Sequence, residues 1–186
     1  ENLRGNVLIQ NGTLHLSKGT LGIIGATAKM DAFYKNEGTQ KAYFDYKINA
    51  SEFDIRRAYN EIKMFREIVT AAESAEGIVG LNYSIKGVLN NQMEPIMPSL
   101  EGNGTLSVKK VKMKGFKLLN VVSSKTENPD IKDPDISKVD IKTTIKNNIV
   151  TIERFKFKVA GFRLRFEGQT SLDGKLNLKM RIGLPP

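Results

Sequence analysis

From Phe155 to Leu184 apolar and polar residues alternate almost without interruption, in FKFKVAGFRLRFEGQTSLDGKLNLKMRIGL. Successive side chains of a strand point to opposite faces of a sheet, so this pattern predicts strands with one dry and one wet face. Register follows from the turns. A two-residue turn at Asp173-Gly174 would set Phe166 opposite Arg181 and scramble the faces. A three-residue loop, Leu172-Asp173-Gly174, with Gly174 left-handed, instead pairs Phe166 with Met180, Leu164 with Ile182 and Phe162 with Leu184. The turn Ala160-Gly161 pairs Val159 with Phe162, Phe157 with Leu164 and Phe155 with Phe166. Upstream, Asn147-Asn148 suits a two-residue turn of positive φ that pairs Ile145 with Val150 and Thr143 with Ile152. A slip of one residue at Glu153-Arg154 then brings Ile141 opposite Phe155, and residues 138–184 read as a four-strand meander.

The same reading covers the rest of the chain. Asn2 to Asn36 holds short apolar pieces between glycines, which predicts two or three strands, and Lys41 to Phe53 alternates cleanly as another. At Ser51, with Asp54 three residues on, the period changes to about 3.6 and predicts a capped helix through Ile55, Tyr59, Ile62, Phe65, Val69 and Ala72 to Ser74. Strand alternation returns over Gly80–Asn90 with a phase slip near Gly87. Leu106 and Val108 fall out of phase with Val111 and Met113, which predicts a bulge, and FKLLNVVSSK after Gly115 predicts a second helix. Pro129 and Pro134 make ENPDIKDPDIS a loop, whose acids lack the spacing and mid-loop glycine of a calcium-binding EF-hand. The expectation is a single β-rich α+β domain over 1–186: a curved, largely antiparallel sheet, a β-groove or half-open sandwich, with two covering helices. About eleven strands against two modest helices leave apolar sheet surface in search of cover.

Composition narrows the chemistry. The chain has no cysteine, which removes disulfides, thiolate metal sites and cysteine nucleophiles. His15, the only histidine, sits in a strand-like TLHL segment without a nucleophile at a recognisable spacing, and no phosphate-binding, dinucleotide-binding or metal-ligand motif is present. The expectation is therefore a non-enzymatic protein with no cofactor and no metal. No apolar run is long enough to span a bilayer, and the first residue is Glu1, so the chain reads as a domain of a longer protein.

A formal charge of +9 favours anionic partners, and the register shows where the charge gathers. Lys158 falls opposite Arg163, Lys156 opposite Arg165, and Arg165 opposite Arg181; like charges directly across a sheet destabilise it by a few tenths of a kcal/mol or more. These five are the candidate anion or headgroup contacts, beside the bland alternative of a solvated, aggregation-resistant face. Phe155, Phe157, Phe162, Leu164, Phe166, Leu178, Met180 and Ile182, all on the dry side, are the candidate lipid or groove residues. With the aromatics turned to that side, the wet face lacks the stacking platform a nucleic acid would use.

Over its last hundred or so residues the chain resembles the C-terminal region of the AsmA-like envelope proteins. The resemblance lies in Gly87, a connector with Met93, Pro95 and Pro98, the Gly102-x-Gly104 hairpin, a turn at Asn148, then Gly161, Gly168, Leu172-Asp173-Gly174 and the closing Pro185. Asn147-Asn148 stands where Asn-Gly is expected, and the chain ends in Pro-Pro. The resemblance implies a periplasmic domain anchored to the inner membrane through a segment outside this chain, linked to outer-membrane assembly and lipid homeostasis. It also implies a β-groove that guides phospholipid, with no cofactor and no catalytic residue, among other envelope proteins as possible partners. The competing expectation is a structural or protein-interaction scaffold with a closed core.

Overall fold

The computed structural model describes residues 2–38 and 41–183. Ten strands form one open antiparallel sheet in which each strand pairs with the next in sequence: β1 (Leu3–Gln10), β2 (Thr13–Ile23), β3 (Ala26–Asn36), β4 (Ala42–Asp54), β5 (Ala75–Leu89), β6 (Glu101–Met113), β7 (Asp135–Lys146), β8 (Ile149–Val159), β9 (Phe162–Ser171) and β10 (Leu176–Gly183). The sheet is curved and unclosed, with β1 and β10 as free edges. Among the described residues the strands number ten rather than the expected eleven or so, and the glycine-rich first third, expected to hold two or three, holds three.

The expected register holds through the final meander. Phe166 faces Met180, Leu164 faces Ile182, Phe155 faces Phe166 and Phe157 faces Leu164, while the expected pair Phe162–Leu184 lies outside the described residues. Asn147 and Asn148 both take positive φ, as the two-residue turn requires, and Ala160-Gly161 does the same. The bulges fall at Glu153-Arg154, where Ile152 and Phe155 flank two residues opposed by Glu167 alone, and at Lys109, between Val108 and Lys110. Such insertions bend the strand and increase its twist, which curves the sheet.

At three places the structure departs from the sequence pattern. First, no bulge occurs at Gly87: β4 and β5 keep one register through Phe44–Gly87 to Ala42–Leu89. Gly87 occupies a dry-face position, and a Cβ there would come within 2.9 Å of Leu100 and 3.2 Å of Phe44. The missing side chain makes room for the connector crossing over it. Second, the predicted helix over Ile55–Ser74 is broken into α1 (Ile55–Glu61), α2 (Lys63–Ile68) and a 3-10 turn (Thr70–Ser74). β-branched Ile62 and Val69 leave helical geometry at the breaks and pack against the core. The cap is Asp54, whose carboxylate accepts from Arg57 N at 2.9 Å; Ser51 belongs to β4. Third, β7 and β8 pair only from Lys146–Ile149 to Thr143–Ile152, so Ile141 and Phe155 make no rung although the slip at Glu153-Arg154 is present.

The dry face is covered in two patches. At one end α1, α2 and α3 (Lys117–Thr126) meet the sheet in a cluster that includes Ala58, Phe65, Leu119, Val122, Val79, Val111, Phe157 and Leu164. At the other end Leu100 of the β5–β6 connector packs with Phe44, Ile85, Leu89, Ile145 and Val150. A Lys63–Glu94 ion pair at 3.0 Å links α2 to that connector. Leu164 is fully buried and Ile182 is 37% exposed. Leu164→Ala is therefore expected to cost about 2–5 kcal/mol, while Ile182→Ala costs about 1 kcal/mol or less. Urea unfolding of the two variants measures both, and equal losses would show that the inner face is not packed as described.

Candidate functional site

β8, β9 and β10 bring the candidate residues together on two opposite faces, because a strict two-residue period permits nothing else. On the outer face Lys158 lies opposite Arg163, Lys156 opposite Arg165, and Arg165 opposite Arg181. All five side chains belong to exposed residues, and none enters a side-chain hydrogen bond or ion pair among the described residues. One rung away, the Arg154 guanidinium donates to both oxygens of Glu167, Nε to Oε2 at 3.1 Å and Nη2 to Oε1 at 3.0 Å. Lys179 lies directly opposite Glu167. This end of the three strands thus carries Arg154, Lys156, Lys158, Arg163, Arg165, Lys179 and Arg181 against two carboxylates, Glu153 and Glu167.

Glu167 is the one acid inside the array. The hydrogen bond from Arg154 holds its carboxyl below the usual carboxylate range, with the charges of Arg154, Arg181 and Lys179 acting the same way. Because its pKa is depressed, Glu167 stays ionised at neutral pH and keeps offsetting the array until the pH falls through its own lowered pKa.

On the inner face the predicted apolar residues do form one surface, but its exposure is graded. Phe157, Leu164 and Phe166 are buried, Phe155, Phe162, Leu178 and Met180 are half-buried, and Ile182 is exposed. Phe155 packs against Phe157 and Phe166, with ring centroids 5.7 and 5.4 Å apart. Phe157, Leu164 and Phe166 belong to the same buried cluster as Leu119 and Val122 of α3, and burial falls off toward the edge strand β10. Two shallow surface depressions among the described residues lie elsewhere, on β1 to β5.

Arg154, Glu167 and Lys179 lie one rung from the ladder, as the alternation predicts, with Glu167 the acid that relieves it. One feature of this region was not singled out from the sequence. Lys138 and Lys142 are exposed on the part of β7 that does not pair with β8, so they flank the same array across an unzipped seam. In the structure Lys138 takes a left-handed conformation at that seam. His15 is an exposed β2 residue set edge-on to Phe33, with centroids 6.3 Å apart, and no group of three or more metal-ligating side chains occurs among the described residues. No helix of the described residues is long and apolar enough to cross a membrane.

Compared with protein-family models, with curated proteins and with solved structures, the chain has no significant match. The geometry itself is therefore what can be interrogated. Removing the carboxylate that Arg154 holds within the array, by Glu167→Gln, is expected to strengthen co-sedimentation with phosphatidylglycerol vesicles severalfold at low salt. An unchanged or weaker association would show that the array does not face the vesicle.

Proposed function

We propose that the chain is a non-enzymatic module of the bacterial cell envelope that contacts or guides anionic phospholipid. The observation that carries this reading is the unpaired ladder of like charges, Lys158–Arg163 and Lys156–Arg165–Arg181, across three neighbouring strands. Each such pair works against folding by roughly 0.2–1 kcal/mol, and an anionic surface laid over the strands turns that repulsion into attraction. The free edge of β10 supplies the second half of a phospholipid contact. Arg181 and Lys179 point outward there, while Ile182, Met180 and Leu178 line the inner side of the same strand. A lipid straddling this edge places its phosphate among the cations and its chains along the apolar side. The resemblance to AsmA-like proteins supports the same setting: a periplasmic position, an inner-membrane anchor supplied by another segment, and a role in outer-membrane assembly or lipid homeostasis.

A second reading, a scaffold domain with a closed core, is favoured by the burial of Phe157, Leu164 and Phe166 in the cluster that also holds Leu119 and Val122. On that reading the cations keep the sheet soluble and no lipid is held.

Two experiments separate them. Reversing Lys156, Arg165 and Arg181 to Glu abolishes binding to phosphatidylglycerol vesicles on the first reading, and unchanged binding would sink it. Native mass spectrometry of protein purified from membranes detects retained phospholipid on the first reading, lost when Met180 and Ile182 are made polar with the fold intact. A lipid-free protein that acquires none on incubation supports the scaffold.

A further inference from the structure

The outer face carries a second gathering of positive charge, away from β8–β10 and built wholly from β2 to β5. In β2, Ser17 and Lys18 are opposed by Asp31 alone, because the ladder to β3 runs Leu16–Ala32 and then Gly19–Met30. Bulges of this kind re-aim a side chain. Lys18 takes a left-handed conformation, φ 49°, that residues with a Cβ seldom adopt. The Asp31 carboxylate holds it there by accepting from Lys18 N at 3.0 Å. Gly19 then sits close against β3, where a Cβ would come within 2.5 Å of the Met30 carbonyl oxygen.

The bulge borders a shallow depression of about 430 Å³, within the roughly 300–1,000 Å³ of small-ligand sites. Lys18, Lys29 and Lys47 stand around it, with Thr20, Asn49 and Asn82 in the lining. Thr20, Lys29, Asn49 and Asn82 are successive partners on β2 to β5, so they share one rung and one face, and Lys47 lies opposite Asp31 on the next rung of that face. The three lysines and both asparagines are exposed. None of the three ammonium groups and neither amide enters a hydrogen bond or ion pair among the described residues. The one carboxylate of the lining, Asp31, is engaged by the bulge and makes no ion pair with Lys47, although the two residues are opposed.

We propose that this depression binds a sugar phosphate, either free or as the headgroup of a glycolipid. Three ammonium groups against one engaged carboxylate favour a ligand with more than one negative charge, and ammonium binds phosphate as a point charge. Each amide offers two donors and an acceptor, the set that matches neighbouring hydroxyls. Inorganic phosphate would leave the amides to water, and a neutral sugar would leave the lysines to it. A ligand that carries both groups uses the whole lining. Charge on so open a surface is screened by salt, so binding is weak and discrimination comes from the amides. The site is separate from the cationic array of β8–β10, and the proposal does not rest on lipid contact there.

The side-chain amide resonances of Asn49 and Asn82 report occupancy directly. Titration with glucose 1-phosphate is expected to shift both, with an affinity at least severalfold above that for inorganic phosphate or for glucose. Asn49→Asp, at an exposed position, sets a carboxylate in the lining and is expected to abolish the shift at Asn82. Lys29→Gln with Lys47→Gln is expected to reduce the affinity for glucose 1-phosphate to that for glucose. Reversing Lys156, Arg165 and Arg181 to Glu leaves the titration unchanged. In that triple variant, vesicles carrying phosphatidylinositol identify the source: association that Asn49→Asp removes assigns a glycolipid headgroup, and no association assigns a soluble sugar phosphate. Equal affinity for inorganic phosphate and glucose 1-phosphate shows an unselective ion-binding surface and overturns the proposal. Absence of any shift overturns it as well, as do shifts that survive both sets of site variants or vanish when the array is reversed.

Discussion

The rest of the structure depends on the short ladder between β7 and β8. Four rungs around the Asn147-Asn148 turn are all the strand pairing that joins the first seven strands to the last three. Their centre is Ile145 opposite Val150, both almost completely buried. That pair belongs to a row drawn from every strand of the sheet: Val7, Leu16, Ala32, Tyr46, Ile85, Gly102, Ile145, Val150, Thr170 and Leu176. Away from the row, β7 and β8 part, and side-chain packing takes over from the ladder. Ile131, Val139, Phe157 and Val159 share one apolar cluster with α3, and Ile131 is fully buried. Without the four rungs, β8–β10 would be a three-stranded sheet, near the lower limit for independent stability. The cationic array therefore sits where it does because of a two-residue turn and the packing beneath α3.

A second constraint is the separation of the two faces. No polar or charged residue is buried among the described residues, and every ion pair found among them lies at the surface. Desolvation of titratable side chains is therefore confined to partly buried groups. Tyr46 and Tyr83 show the limit of what burial does here: both phenols are pushed up in pKa by desolvation, and Tyr83 shares a 2.9 Å hydrogen bond with Thr143.

How much of this was legible in the sequence follows from the range of the forces involved. The register from Ile145 to Ile182 could be derived because turn length and two-residue alternation are local, and a two-residue turn at Asp173-Gly174 would have put Phe166 against Arg181. The charge ladder followed at once. Gly87 misled because its role is set by Leu100, thirteen residues along the chain and crossing above it. The breaks at Ile62 and Val69 depend on which apolar residues the sheet pulls inward, and an amphipathic pattern does not encode that. The end of the β7–β8 ladder at Thr143–Ile152 and the sharing of one buried cluster by α3 and Leu164 are tertiary events between segments whose separate patterns permit continued pairing equally well. The dry face was legible as a face; its cover was not.

The spacing of the cations bears on what kind of contact the proposed function can make. Adjacent strands lie about 4.8 Å apart, so the rung Lys156–Arg165–Arg181 spans about 10 Å. This is close to the roughly 8–10 Å screening length of physiological solutions, and these cations project from an open face without a walled cavity around them. Fully hydrated charges in such an array gain little from any single anion, since each exposed ion pair contributes only about 0–1 kcal/mol. Their useful effect is collective, and it requires many anions presented together at similar spacing. A lipid surface has that property and a lone soluble phosphate does not. The same argument limits affinity from charge alone and gives the half-exposed Met180 and Ile182 a purpose on the proposed reading: apolar burial at the β10 edge is insensitive to salt and would hold what the cations gather.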